Sequence, residues 1–126
     1  MAVVLIVDDT EIVRRALEFA VRRMGHSPVS TADAVEAVSI ARAFHPAVAL
    51  LDVRMPIVDG AQLYLELKKA LGASCPQVVW ISGSPAEEVA ERTAVAGPAA
   101  GFVRKPFHLD DLTRSVEAAL QQSHAA

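Results

Sequence analysis

The apolar run Val48–Leu51 limits most strongly what this chain can fold into. It has the length of a strand, and no polar residue interrupts it, which is typical of a strand covered on both faces in a parallel sheet. Pro46 and Pro56 bound the run, and proline disfavours helix in the residue before it. Asp52 follows the run directly. The sequence therefore predicts a carboxylate at the carboxyl end of a buried central strand, which is where open α/β sheets place their ligands.

Four further segments have the β-rich, apolar composition of strands. They are Val3–Val7, the short edge segment Pro28–Ser30, Val78–Ile81 and Ala100–Val103. A segment with apolar residues at helical spacing follows each predicted strand. This alternation predicts an α/β fold: a doubly wound, five-stranded parallel sheet with five helices and right-handed crossovers.

The helical patterns also predict which side chains face the sheet. In the first two helices the expected buried residues are Ile12, Val13, Ala16, Leu17, Ala20, Val21, Met24, Ala37, Ile40, Ala41 and Phe44. In the third and last helices they are Leu63, Leu67, Leu71, Leu109, Leu112, Val116 and Ala119 or Leu120, with a frayed tail from Gln121 onward. The fourth helix, beginning at Pro85, has a thin apolar face of Val89, Ala90 and Ala94, which predicts that it is the most mobile element.

Length and composition fit one globular domain spanning residues 1–126. The chain is 52% hydrophobic and 21% charged, which suits a compact core and not disorder. Its net charge of −3 gives no basic surface for nucleic acid, and its apolar N-terminal run is too short for a signal peptide or a membrane span. The single cysteine, Cys75, fits a reducing compartment. We therefore predict a cytoplasmic protein without direct contact to nucleic acid or membrane.

Polar residues stand at the ends of four of the predicted strands. Asp8-Asp9 follows the first strand, Asp52 ends the third, Ser82 follows the fourth and Lys105 comes after the fifth. In a doubly wound sheet these ends share one rim, so three carboxylates, a hydroxyl and an ammonium are expected to converge. Close carboxylates raise one another's pKa unless a cation neutralises them, and an oxygen-only set with few protein ligands suits Mg²⁺. The joint pattern predicts a carboxylate that accepts a phosphoryl group with help from a metal ion.

Each of these residues, taken alone, has an ordinary structural explanation. An aspartate after a strand often caps the next turn, which would account for Asp52. A serine near a helix start is commonly a cap, and a lysine is usually solvated. The combination at one rim, with Pro106 directly after Lys105, favours a functional site over these separate explanations.

Five motifs, in order, resemble the receiver domain of two-component response regulators. They are Val7-Asp8-Asp9; Leu51-Asp52-Val53-Arg54-Met55-Pro56; Asp59-Gly60; Ile81-Ser82-Gly83; and Gly101-Phe102-Val103-Arg104-Lys105-Pro106-Phe107. The resemblance covers essentially the whole chain. It implies a flavodoxin-like fold with strand order 2-1-3-4-5, which agrees with the topology predicted from the alternating pattern.

The resemblance implies a metal-assisted acceptor site. Asp52 would be the phospho-acceptor. Asp9 would bind Mg²⁺ directly, with Mn²⁺ as a possible substitute, and Asp8 would bind it mainly through water. The backbone carbonyl of Arg54 would complete the metal shell together with Asp52.

The resemblance also implies a switch built from residues of the last two strands. Lys105 would pair with the phosphoryl oxygens, and the Lys105–Pro106 peptide bond would be cis. Ser82 would be the switch hydroxyl that moves toward the phosphoryl group. Phe102 would occupy the aromatic switch position and turn inward as Ser82 moves.

The partners follow from the same resemblance. The phosphoryl donor would be a phosphohistidine of a sensor histidine kinase or of a histidine phosphotransfer protein. An unknown downstream protein would read the face formed by the fourth helix, fifth strand and fifth helix. The chain would be a signalling domain and not a dedicated enzyme, a monomer or a phosphorylation-dependent dimer, and either stand-alone or excised from a longer regulator.

Two departures and three alternatives stay open at this point. Arg54, two residues after Asp52, is a long cation that could shield an acyl phosphate or alter partner entry, and Ser84 is small. A Mg²⁺-dependent aspartyl-phosphate phosphatase of the haloacid dehalogenase type would require a second aspartate at the position of Arg54. A flavin mononucleotide module would want a loop rich in hydroxyls and glycine where Asp8-Asp9 stands. A degenerate receiver that signals without phosphate would not need the acidic, serine and lysine set.

Overall fold

A computed structural model describes residues 1–124 and contains a single parallel sheet. Its strands are β1 (Val3–Val7), β2 (Ser27–Thr31), β3 (Val48–Asp52), β4 (Gln77–Ser82) and β5 (Gly101–Arg104). They lie in the order β2-β1-β3-β4-β5, and every neighbouring pair is parallel. The predicted fold class and strand order are confirmed.

Four helices connect the five strands, a fifth helix follows the last strand, and together they cover both faces of the sheet. They are α1 (Glu11–Arg23), α2 (Ala34–Phe44), α3 (Gly60–Leu71), α4 (Ala86–Thr93) and α5 (Leu109–His124), with short 3-10 turns over Gly72–Ser74 and Ala94–Ala96. Asp33 caps α2 by accepting from the Val35 amide at 2.8 Å, as expected from the sequence. Across residues 1–124, none of these helices has the length and apolar character needed to cross a bilayer.

The sheet separates the core into two layers. On one face, α1 and α5 pack against alternate residues of the central strands, including Ile6 and Leu50. On the other face, α2, α3 and α4 pack against the intervening residues, including Leu5, Leu51 and Trp80. All five residues of β3 are buried, which is why Val48–Leu51 carries no polar alternation.

The register brings the strand ends that carry the predicted site residues to one edge. Val7 pairs with Leu51 across β1 and β3, so Asp8 and Asp52 follow neighbouring positions. Ser82, the last residue of β4, pairs with Arg104, which directly precedes Lys105. The carboxyl ends of the four strands β1, β3, β4 and β5 therefore lie side by side.

Several residues predicted to be buried are exposed instead. Ile12 is 80% exposed, Phe44 53% and Leu109 39%. All three lie at helix ends: Ile12 in the first turn of α1, Phe44 last in α2 and Leu109 first in α5. Helical spacing alone does not show where a helix extends past the sheet that it covers. Other exposed members of the predicted stripes are Ala16, Ala90 and Ala94.

Two helix boundaries also differ from expectation. Pro85 precedes α4 as its N-cap and is not its first helical residue. The helix α5 continues to His124, so the expected fraying from Gln121 is wrong up to that residue, and the final two residues lie outside the described chain. Leu112, Val116, Ala119 and Leu120 anchor α5 on the sheet, which explains why its last turns stay helical.

Candidate functional site

Two aspartates at the ends of the inner strands form the floor of the site. Asp8 is 1% exposed and Asp52 is 6% exposed, although both are carboxylic acids. Backbone donors satisfy part of their hydrogen-bonding capacity: the Thr10 amide donates to Asp8 Oδ1 at 2.9 Å, and the Arg54 amide donates to Asp52 Oδ1 at 3.3 Å. The Arg14 guanidinium donates to the backbone carbonyl of Asp8 at 2.9 Å. The chain that follows each strand therefore fixes the orientation of that strand's carboxylate.

Asp9 completes a cluster of three carboxylates. One oxygen from each of Asp8, Asp9 and Asp52 lies within 4.8 Å of the other two. Asp9 is exposed, whereas the other two are buried, so the cluster opens to solvent on the side of Asp9. A donor set made only of carboxylate oxygens, with an open side that leaves room for water, fits a hard cation such as Mg²⁺.

Lys105 lies against this cluster from the end of β5. Its Nζ is 2.9 Å from Asp8 Oδ2 and 3.4 Å from Asp52 Oδ2. The peptide bond that follows it, Lys105–Pro106, is cis. The Lys105 amide also donates to the carbonyl of Ser82 at 2.7 Å, which joins the ends of β4 and β5 beside the carboxylates. One ammonium therefore partly compensates two buried acids.

The Lys105 ammonium does not fully compensate the negative charge of the carboxylates, as the raised pKa of Asp52 indicates. Burial, followed by the negative charge of Asp8, raises the pKa of Asp52 from 3.8 to about 6. The Lys105 ammonium and the Arg54 amide oppose this rise without cancelling it. Burial alone would lower the pKa of Lys105, but its hydrogen bond to Asp8 and the charges of Asp52 and Asp8 outweigh burial and raise that pKa. The site therefore carries uncompensated negative charge that a cation would relieve.

Ser82 and Phe102 lie on the neighbouring strands. Ser82 is buried, and its Oγ accepts from the Ser84 amide at 3.1 Å. Phe102 is half-buried in β5 and lines a groove of about 540 Å³ together with Trp80, Val89 and other residues of α4 and the loop after it. The Phe102 ring therefore borders α4, and a movement of α4 would change the packing around it.

Arg54 extends away from the acidic cluster. Its guanidinium forms an ion pair with Glu88, in the first turn of α4. The Arg54 side chain is 58% exposed, so it does not close over Asp52. The sequence indicated Arg54 as an unusual cation near Asp52. Its partner Glu88 is 34 residues away, and no local sequence pattern indicates the pair.

The sequence did not predict the structural roles of three residues around the site. Thr10 and Arg14 hold Asp8 in place through a backbone amide and a guanidinium. Gly60 lies directly beneath the backbone of Asp52 and Val53, where a Cβ atom would collide. The Asp59-Gly60 pair predicts a turn and is one of the five motifs, but neither indicates this close packing against Asp52 and Val53.

Comparisons with known proteins assign the chain to one class of signalling domain. The model of the response regulator receiver domain matches residues 4–117. A putative transcriptional regulator of Pseudomonas aeruginosa is 36% identical over 121 residues, which cover 95% of this chain and 57% of that protein. Response regulator MprA of Mycobacterium avium is 32% identical over 123 residues, covering 95% and 51%. The chain belongs to the response regulator receiver domain family.

Solved structures agree on the fold. Chemotaxis protein CheY4 of Vibrio cholerae superposes with a TM-score of 0.87 at 24% identity, covering 95% of this chain and 99% of that one. NtrX of Brucella abortus superposes with a TM-score of 0.87 at 31% identity, covering 98% of this chain and 28% of NtrX. The chain spans about half the length of the first curated relatives that it matches.

Proposed function

We propose that residues 1–126 form a single receiver domain that accepts a phosphoryl group on Asp52. The donor is a phosphohistidine of a sensor histidine kinase or of a histidine phosphotransfer protein. The observation that carries this proposal is the position of Lys105, whose ammonium contacts both Asp8 and Asp52 beside the third carboxylate of Asp9. A buried acid with an adjacent cation and a cation-binding cluster has the parts that phosphoryl transfer needs.

The transfer step is an in-line displacement at phosphorus. An Oδ atom of Asp52 forms a new P–O bond while the P–N bond of the phosphohistidine breaks. The electron pair of the P–N bond stays on the imidazole nitrogen, which takes up a proton from solvent. Lys105 holds negative charge on the transferring oxygens, and the Arg54 amide orients the attacking carboxylate.

The acidic cluster is the proposed cation site. Asp8, Asp9, Asp52 and the backbone carbonyl of Arg54 would hold Mg²⁺, and Mn²⁺ would substitute for it. When bound, the cation neutralises charge on the phosphoryl oxygens. Asp52 must be deprotonated to attack, and its pKa of about 6 leaves it mostly ionised at neutral pH.

The proposed output is a change of the surface formed by α4, β5 and α5. The aspartyl phosphate adds charge and acceptor oxygens that attract Ser82 and Lys105. Phe102, which lines the groove under α4, turns into the space that Ser82 leaves. A downstream protein reads this surface, either on a monomer or on a phosphorylation-dependent dimer. A signalling role without a dedicated enzyme activity and a cytoplasmic location belong to the same proposal.

Intact-mass spectrometry after incubation with acetyl phosphate tests the proposal. The expected result is one phosphoryl adduct that requires both Mg²⁺ and Asp52. The variant Asp52→Asn should take no label, while Asp110→Asn, on the exposed first turn of α5, should label like the wild type.

The two contrary results have different meanings. An adduct that persists in Asp52→Asn would remove Asp52 from the acceptor role. A folded wild-type protein that takes no adduct under any condition would favour a receiver that acts by protein contacts without phosphate.

A further inference from the structure

Arg54 connects the acceptor carboxylate to α4 through two different groups. Its backbone amide donates to Asp52 Oδ1 at 3.3 Å, while its guanidinium pairs with Glu88 on the first turn of α4. Glu88 thus ties the beginning of α4 to the loop that follows the acceptor strand. We propose that Arg54 and Glu88 form a latch, and that a phosphoryl group on Asp52 opens it by taking the guanidinium from Glu88. This inference rests on the proposed phosphorylation of Asp52.

A phosphoryl group on Asp52 and the carboxylate of Glu88 would compete for the Arg54 guanidinium, and this competition favours the phosphoryl group. The Arg54 and Glu88 side chains are 58% and 40% exposed, so water and salt weaken their pairing. A phosphoryl group carries more charge than a carboxylate and offers three acceptor oxygens, which suit the planar fork of a guanidinium. Since the Arg54 backbone is already fixed next to Asp52, only side-chain rotation is needed to exchange one anion for the other.

The segment that follows α4 is fixed to a neighbouring helix, which keeps the end of α4 in place while its beginning moves. After α4, the Ala96 carbonyl accepts from Lys68 Nζ, and the Pro98 carbonyl accepts from Tyr64 Oη at 3.0 Å. Both donors belong to α3, and the Lys68 ammonium lies 4.2 Å from the centre of the Tyr64 ring. These contacts fix the segment after α4 to α3.

The beginning of α4 has fewer anchors. Among the described residues, no side chain caps its first turn, and its first three residues are not buried; its buried residues are Val89, directly after Glu88, and Thr93 at its end. The ion pair between Arg54 and Glu88 therefore restrains the end of α4 that faces the acceptor site. Opening it lets that end pivot over the groove lined by Phe102 and Trp80.

Thermodynamic reciprocity gives the latch a measurable consequence. If a phosphoryl group weakens the pair, then loss of the pair must strengthen binding of a phosphoryl mimic by the same factor. For an exposed pair we expect a change of about two- to fivefold in affinity. Removal of the guanidinium itself should have the opposite effect, because the mimic then loses its donor.

The test measures binding of beryllofluoride with Mg²⁺, followed by the fluorescence of Trp80, the only tryptophan of the chain. Glu88→Gln should bind about two- to fivefold more tightly than the wild type, and Arg54→Gln should bind more weakly. Glu87→Gln is the matched control, because it removes the same charge from the same turn of α4 and should leave affinity nearly unchanged. In the Arg54→Gln background, adding Glu88→Gln should have no further effect.

Hydrogen exchange of the first turn of α4 supplies a second readout. Beryllofluoride should accelerate exchange in the wild type, whereas Glu88→Gln should exchange faster before the mimic is added. Equal behaviour of Glu88→Gln and Glu87→Gln, in a wild type that binds the mimic, would overturn the latch alone. A Glu88→Gln effect that persists without Arg54 would also overturn it. Failure of every variant to bind beryllofluoride would overturn both the latch and the proposed function.

Discussion

Gly60 packs against Trp80 so closely that it leaves no space for a side chain. A Cβ atom at Gly60 would lie 2.9 Å from Trp80 Cζ3 and 3.0 Å from the Cα atom of Val53, and it would overlap the backbone oxygen of Asp52. The Gly60 amide also donates to the Val53 carbonyl at 2.9 Å. The start of α3 is therefore seated directly on the end of β3, which carries Asp52, and on the first residue of the loop that follows.

We expect Gly60→Ala to destabilise the protein by about 2 to 4 kcal/mol, although alanine is the better helix former. The collision involves backbone atoms, so no rotamer change relieves it. Urea unfolding followed by circular dichroism measures the change. Gly83→Ala is the control, since a Cβ at Gly83 meets nothing within 4 Å, and it should stay within about 0.5 kcal/mol of the wild type. Equal stabilities of Gly60→Ala and Gly83→Ala would contradict this packing.

Ile57 occupies a conformation that a branched side chain rarely adopts. Its φ is 72°, and the Val58 amide donates to the Pro56 carbonyl at 2.8 Å around it, which defines a tight γ-turn. The side chain is fully exposed, so no packing compensates the strain.

Asparagine adopts positive φ readily, and we therefore expect Ile57→Asn to stabilise the protein by about 0.5 to 1 kcal/mol. Thermal unfolding measures the difference. Val35→Asn removes a side chain that is 74% exposed from a helical position and should give no gain. A loss of stability in Ile57→Asn would show that the isoleucine makes contacts that outweigh its backbone strain.

The sequence predicted the sheet and the strand-end residues for a physical reason. A strand buried on both faces must be continuously apolar. Both the strand conformation and the burial can therefore be predicted from the apolar runs Val3–Val7, Val48–Leu51 and Val78–Ile81. Parallel order then requires Asp8 and Lys105 to lie on the same edge, and the observed ion pair fulfils that expectation.

What the sequence could not predict depends on relations between distant segments. Arg54 and Glu88 are 34 residues apart, and only the tertiary packing that places α4 beside α3 brings them together. The sequence also does not indicate the close approach of Gly60 to Trp80, because an aspartate followed by a glycine predicts only a turn. Ile12 and Phe44 show a third limit: helical spacing gives the apolar stripe, but the edge of the sheet decides where burial ends.

The raised pKa of Asp52 predicts a pH-dependent gain in stability for Asp52→Asn. In the folded protein the carboxyl titrates at about 6, against 3.8 as the reference, so its ionised form destabilises the fold. Below a pH of about 4, ionisation of Asp52 does not lower the free energy of unfolding of the wild type. As the pH rises to about 6, the wild type loses stability relative to the variant. We expect Asp52→Asn to be more stable by about 1 to 2 kcal/mol at pH 7.5, with the loss of its contact to Lys105 included.

Urea unfolding of both proteins at pH 4 and pH 7.5, without added divalent cation, measures this difference. The gain should disappear at the lower pH, where the wild-type carboxyl is protonated. A gain of the same size at both pH values would instead assign the effect to packing and not to ionisation.

Lys105 and the proposed Mg²⁺ neutralise the same carboxylates, and they should therefore compete. The Lys105 ammonium lies 2.9 Å from Asp8 and 3.4 Å from Asp52, so its removal leaves the cluster more negative. We expect Lys105→Met to bind Mg²⁺ more tightly, by about three- to tenfold, while its labelling by acetyl phosphate slows because the transferring oxygens lose their cation. Titration calorimetry at pH 8 measures the affinity, well above the pKa of about 6 for Asp52.

Lys105→Arg is the matched control for this competition. It keeps the positive charge and should bind Mg²⁺ within about twofold of the wild type. Asp9→Asn should lose affinity whichever residue stands at position 105, because it removes a carboxylate of the cluster. If Lys105→Met and Lys105→Arg bind Mg²⁺ equally, the ammonium does not share the carboxylates with the metal. Lys105 would then act on the phosphoryl group alone.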